Sequence, residues 1–168
     1  MLQCSKCFLQ KTMKLKQLSL FLENKPGNVR KACRMLAENG INIETMTLAD
    51  TKEYGILRLL VQDWGRAKEV FEENGVLVRV ADVIALAVGH RPGGLADILA
   101  VLDEAGLNIE YMYGFSHRVS IKPPSSAPTD SEIADSAIIV FRFDNPDIAV
   151  EALRTRNIRV IESKELFG

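Results

Sequence analysis

The segment Asn24–Met46, NKPGNVRKACRMLAENGINIETM, returns 66 positions later and without a gap as His90–Met112, HRPGGLADILAVLDEAGLNIEYM. Pro26 corresponds to Pro92, Gly27 to Gly93, Gly40 to Gly106, Asn42 to Asn108, Ile43 to Ile109, Glu44 to Glu110 and Met46 to Met112. Between the glycines, Val29, Ala32, Cys33 and Leu36 fall on Leu95, Ile98, Leu99 and Leu102. Both sets have the i, i+3, i+4, i+7 spacing of a helix with one buried face. Turn residues and core residues therefore repeat together, and the chain is a duplication. Each copy must fold into the same small unit, and 168 residues leave roughly 80 for each.

The remainder of each copy matches more loosely. Ala67, Phe71, Gly75, Val76 and Val78 correspond to Ala149, Leu153, Asn157, Ile158 and Val160, now 82 positions on. The added length falls in 117–135, where Pro123, Pro124, Pro128 and a Ser/Thr cluster read as a long flexible hairpin loop. That loop is either a disordered insertion or a lid or docking segment.

Both copies give the order strand, helix, strand, strand, helix, strand. The first predicts strands over Leu18–Glu23, Ile41–Ala49, Tyr54–Val61 and Val76–Val80, with helices to about Asn39 and over Gly65–Glu73. The second predicts strands over Val83–Val88, Ile109–Ser116, Ser136–Phe143 and Ile158–Ile161, with helices over Gly94–Ala105 and Asn145–Arg156. This is an α+β chain of two ferredoxin-like βαββαβ modules, each an antiparallel sheet with its helices on one face. The expected divisions are a flexible tail over 1–12, a first module over 13–81 and a second over 82–168. With almost no linker between them, the modules are expected to pair side by side, covering sheet edges.

Composition narrows the function. A net charge of −1, from 21 basic and 22 acidic residues, lacks the basic surplus that binds nucleic acid. No apolar run approaches the roughly 18 residues of a membrane span, and residues 1–12 lack the apolar core of a signal peptide. A soluble cytoplasmic protein is expected. Cys4 and Cys7 form a lone C-x-x-C with no second ligand pair, and Cys33 lies on a helix's apolar stripe, so no metal site or cofactor is expected. The third strands, YGILRLLV and SAIIVFRF, lack the aromatic platform of an RNA-recognition module.

The ferredoxin-like fold hosts many activities, so the site must decide. Pro26-Gly27 and Pro92-Gly93-Gly94 stand at the starts of the first helices. Proline presets φ there, glycine admits close approach, and the helix dipole favours a carboxylate. Asn42 and Asn108, at the expected starts of the second strands, offer donor and acceptor on one side chain. Ordinary loop chemistry and the grip of a free amino acid explain these residues equally well.

The run of strand, Pro-Gly, helix, Gly and Asn-Ile, found twice from about Lys16 onward, resembles the ACT domain family of amino-acid sensors. The resemblance implies effector binding where two modules meet, by the first loop of one and the second strand of its neighbour. On this chain those positions are Asn24, Lys25, Pro26, Gly27 and Asn28 with Asn42 and Ile43. In the second copy they are His90, Arg91, Pro92, Gly93 and Gly94 with Asn108 and Ile109. Gly94 in place of Asn28, and Arg91 in place of Lys25, make the two sites unequal. The implied protein is a non-catalytic regulator with an amino acid as effector, assembling as a homodimer and acting on a regulated enzyme. Two alternatives remain: an interaction module without a ligand, or a small enzyme using Glu44, Glu110 or His90 as acid or base.

Overall fold

The computed structural model describes residues 13–50, 54–89, 91–116 and 136–167. The expected tail over 1–12 with Cys4 and Cys7, the loop over 117–135, and His90 lie outside the described residues. The chain divides into two compact units, the first of Leu15–Val83 with residues 166–167 and the second of Ile84–Glu165 with residues 13–14.

The first unit carries β1 (Leu15–Glu23), α1 (Asn28–Glu38), β2 (Thr45–Asp50), β3 (Tyr54–Leu60), α2 (Trp64–Glu73) and the opening half of β4 (Val78–Gly89). Its strands run β2-β3-β1-β4, all antiparallel, which is the ferredoxin-like order. Leu18 and Leu20 of β1 lie opposite Leu59 and Leu57 of β3 and so share one face. Onto that face both helices bring the expected stripe: Ala32 and Leu36 from α1, Ala67 and Phe71 from α2. Burying a leucine or phenylalanine contributes about 1.5–3 kcal/mol, so this face carries most of the unit's stability.

The second unit uses the rest of β4, then α3 (Gly94–Glu104), β5 (Ile109–Ser116), β6 (Ser136–Phe143), α4 (Pro146–Thr155) and β7 (Val160–Ile161). Its order, β7-β4-β6-β5, repeats that of the first unit with every pair antiparallel. Ile84, Leu86 and Val88 meet Leu102, Phe141, Phe143, Ala149 and Leu153 in its core. The register of β5 slips between Ile109 and Tyr111, leaving Glu110 on a bulge, where it pairs with Arg142 at 3.2 Å.

Three expectations are corrected. The second strand begins at Thr45 rather than Ile41, because its partner β3 ends at Leu60, opposite Thr45. Asn42 and Glu44 therefore lie in the connection, while Ile41 and Ile43 pack on the core from there. The strands expected over Val76–Val80 and Val83–Val88 are one 12-residue strand, since nothing at Ala81-Asp82 turns the chain. The last strand is only Val160–Ile161, with Ile158 packing beside the core instead. Beyond it an unexpected short helix, α5 (Ser163–Phe167), buries Leu166.

Candidate functional site

Each Pro-Gly pair is the centre of a type II turn. The Asn28 N–H donates to the Lys25 carbonyl at 3.3 Å, and the Gly94 N–H donates to the Arg91 carbonyl at 3.0 Å. Gly27 (φ 90, ψ −14) and Gly93 (φ 86, ψ −15) hold the third position, where positive φ is required. Proline at the second position suits the turn. It stands outside the helix rather than in its first turn, as the sequence had suggested. The glycines are the N-cap residues, and the helices begin with Lys31 N–H to Gly27 O at 2.9 Å and Asp97 N–H to Gly93 O at 3.0 Å.

This construction leaves α1 and α3 without a side-chain cap. The other long helices differ: the Asp63 side chain accepts from Arg66 N–H at 3.0 Å and Asn145 from Ile148 N–H at 3.2 Å. An uncapped first turn presents backbone N–H groups and the positive end of the dipole to whatever anion approaches. Among the four described long helices, the two that follow the repeated Pro-Gly are the ones left so.

Around the first turn, Asn24, Lys25, Pro26 and Gly27 are exposed and Asn28 is half-buried. Asn28 Nδ2 donates to the Glu23 carbonyl at 2.8 Å, tying the helix start to the end of β1. Lys25 Nζ turns back to Glu23 at 2.6 Å. The hydrogen bond and charge of Lys25 hold the Glu23 carboxyl below its ordinary value, and Glu23 in turn raises Lys25. Pro26, Gly27, Asn28, Arg30, Lys31 and Arg34 line a shallow cavity of about 400 Å³. The sequence reading missed Arg30, Lys31 and Arg34, although three bases in one helix face with no acid in its first turn were there to be read.

Around the second turn, Arg91, Pro92 and Gly93 are exposed and Gly94 is buried. Arg91 forms a close ion pair with Asp97 in the first turn of α3 and donates from Nη1 to the Pro92 carbonyl at 3.3 Å. Asp97 was also missed.

Asn42 is exposed and lines a second cavity, of about 270 Å³, with Glu44, Gln62, Asp63, Arg66 and Phe167 among its walls. It lies beyond the far end of α1, whose 11 residues span about 16 Å. The structure thus does not bring Asn42 or Ile43 to the Pro-Gly turn of the same module. Asn108 is exposed just before β5, and its carbonyl accepts from Asp144 N–H at 3.3 Å. Ile43 and Ile109 are half-buried and pack on their cores. Among the described residues no group of three or more His, Cys, Asp or Glu is placed to hold a metal, and no helix is long and apolar enough to cross a membrane.

Two ferredoxin-like units, each opening its first helix on an uncapped Pro-Gly turn, define a tandem of small α+β modules. The family model described as an ACT domain pair matches residues 13–120, and the chain belongs to the ACT domain family. It is similar to the acetolactate synthase small subunit of Buchnera aphidicola subsp. Baizongia pistaciae, at 31% identity over 72 residues, 43% of this chain and 45% of that protein. The chain spans about half the length of the curated relatives it matches. Among solved structures it is similar to protein BT0572 from Bacteroides thetaiotaomicron, at 31% identity and a TM-score of 0.79, covering 92% of this chain and 96% of that one. The ligand-free regulatory subunit of aspartate kinase from Thermus thermophilus shares the fold, with a TM-score of 0.59 and 19% identity over 86% of this chain and 92% of that one.

Proposed function

We propose that this chain is a non-catalytic sensor that binds free amino acids at its Pro-Gly turns and regulates a partner protein. The observation that carries the reading is the contrast among the helices. The two that follow a Pro-Gly turn have no side-chain cap, whereas α2 and α4 are capped by Asp63 and Asn145. A ligand carboxylate answers that deficiency through backbone N–H groups and the helix dipole.

The ammonium and side chain of the ligand are then held by Asn42-Ile43 or Asn108-Ile109 of a module in a second copy of the chain. The distance along α1 supports a neighbour's contribution, because one amino acid cannot reach both ends of the helix. A homodimer belongs to the same proposal. The relatives named as small or regulatory subunits support an enzyme as the regulated partner. Glu110 is exposed and ion-paired with Arg142, which suits a structural role better than acid–base chemistry.

Thermal unfolding against the twenty amino acids tests the reading. A ligand that binds only the folded chain stabilises it by about 2.7 kcal/mol at 100 times its Kd. At least one amino acid is expected to raise Tm at millimolar concentration or below. A flat panel sinks the proposal and leaves the ligand-free interaction module as the better reading.

A further inference from the structure

The sheet of the first unit carries both helices on one face, toward which Leu18, Leu20, Leu57, Leu59 and Val78 point. Strand residues alternate, so Ser19, Arg58 and Arg79 belong to the opposite face. The register joins them in one row. Ser19 of β1 lies opposite Arg58 of β3 on one side and opposite Arg79 of β4 on the other, and Arg58 lies opposite Thr47 of β2. Across the strands the row reads Thr47-Arg58-Ser19-Arg79, two guanidinium groups and two hydroxyls with no acid among them. Arg79 is exposed and the other three are half-buried.

The duplication supplies a control for this row. Its counterpart in the second unit is Tyr113-Val140-Ala85-Ile161, joined by the same pairings. There Val140, Ala85 and Ile161 are fully buried. The fold therefore takes apolar side chains at these positions, and in the first unit alone all four polar groups stand in one line.

Neighbouring groups prepare the row for an anion. Strands lie about 4.8 Å apart, so the two arginines leave the sheet roughly 10 Å from each other, on either side of Ser19. Like charges on one face repel, and an anion between them relieves the repulsion. The fully buried Gln17 donates from Nε2 to Ser19 Oγ at 3.3 Å, which turns the serine hydrogen to the role of donor. The Arg79 guanidinium lies over the Phe21 ring, 5.6 Å from its centroid, and is held on this face. Glu23, further along β1, is already engaged by Lys25.

We infer that the row Thr47-Arg58-Ser19-Arg79 binds the phosphate group of a small molecule, on the sheet face away from the helices. Arginine forks match phosphate oxygens, and hydroxyls from two strands complete the donor set. Two cations suit one phosphate group rather than a polyanion. The inference is independent of the turn-binding reading, because no residue of the row belongs to a Pro-Gly turn.

The test titrates the full chain with inorganic phosphate, glycerol phosphate and acetate at constant ionic strength. Backbone amide resonances of Ser19, Arg58 and Arg79 are followed, with Ala85 and Val140 as internal controls. Either phosphate should give saturating shifts in the first three and none in the controls. The tighter of the two shows whether the free ion or a phosphate ester is the ligand. Arg58→Gln and Arg79→Gln should each raise the midpoint roughly tenfold. Should Arg58→Gln fail to fold, Arg79→Gln at its exposed position carries the same reading. A response that stays linear, an acetate midpoint equal to that of phosphate, or a midpoint that Arg79→Gln leaves in place would overturn the inference.

Discussion

A Cβ placed on Gly94 would lie 2.3 Å from the carbonyl oxygen of Gly89. The backbone of α3 thus closes directly against the end of β4, where the first module uses the Asn28 side chain to reach Glu23 O. The exchange of asparagine for glycine is a change in how the same junction is closed. Gly94→Ala must push two backbone segments apart and is expected to cost about 1–3 kcal/mol. Asn28→Ala loses one exposed hydrogen bond and is expected to cost about 1 kcal/mol or less. Urea unfolding of the two variants checks the ranking; equal midpoints would contradict it.

Removing a cap should separate the helices by role. Asp63→Ala and Asn145→Ala each lose an N-cap hydrogen bond and are expected to lower stability by about 1 kcal/mol. At Gly27 there is no cap to lose and no neighbour to strike, yet φ is 90. Gly27→Ala should still cost about 1–2 kcal/mol, through backbone conformation alone. Thermal melts give these values, and a Gly27→Ala chain as stable as the parent would deny the left-handed turn.

The βαββαβ order was legible because periodicity repeats in both copies, and Val29, Ala32 and Leu36 pack or bury as their spacing demands. Strand ends were less legible, since Ile41–Glu44 has strand-like residues while the ladder with β3 begins only at Thr45, opposite Leu60. The union of Val76–Val80 and Val83–Val88 into one strand was missed although no glycine or proline parts them, because the repeat placed a module boundary at Ala81-Asp82. At the site, Pro-Gly was found and its turn type was not, because the sequence does not show which carbonyl the residue after glycine will meet. The charges at Lys31 and Asp97 lie inside the repeated segments, but at a position where the two copies differ.

The Glu23–Lys25 pair gives the first module a pH signature. The hydrogen bond from Lys25, then its charge, holds the Glu23 carboxyl below its ordinary 4.5; the hydrogen bond to Glu23, then its charge, raises Lys25 above 10.5. A depressed carboxyl contributes stability that is present above its unfolded value and lost as pH falls through the folded one. A raised ammonium contributes stability that is present below its unfolded value and lost as pH rises through the folded one. The pair therefore acts between about pH 4.5 and 10.5, and its exposure keeps the effect small. Following the Glu23 side-chain carbon by NMR, Lys25→Ala should move its midpoint upward. A midpoint that stays in place would mean that the two side chains do not meet in solution.

Cys33 and Phe71 stand on different helices of the first unit, and they should respond differently. Phe71 is fully buried, so Phe71→Ala should cost about 3–5 kcal/mol, and its counterpart Leu153→Ala about 2–5 kcal/mol. Either is a large share of the roughly 5–15 kcal/mol that holds a small protein folded. Cys33 is a free, half-buried thiol on the stripe of α1. If it is there as a small apolar group, Cys33→Ala should cost about 1 kcal/mol or less. Chemical denaturation measures all three, and Tm shifts from the amino-acid panel should be the same in Cys33→Ala as in the parent. A loss of ligand response with stability intact would give that thiol a role which its place on the stripe does not suggest.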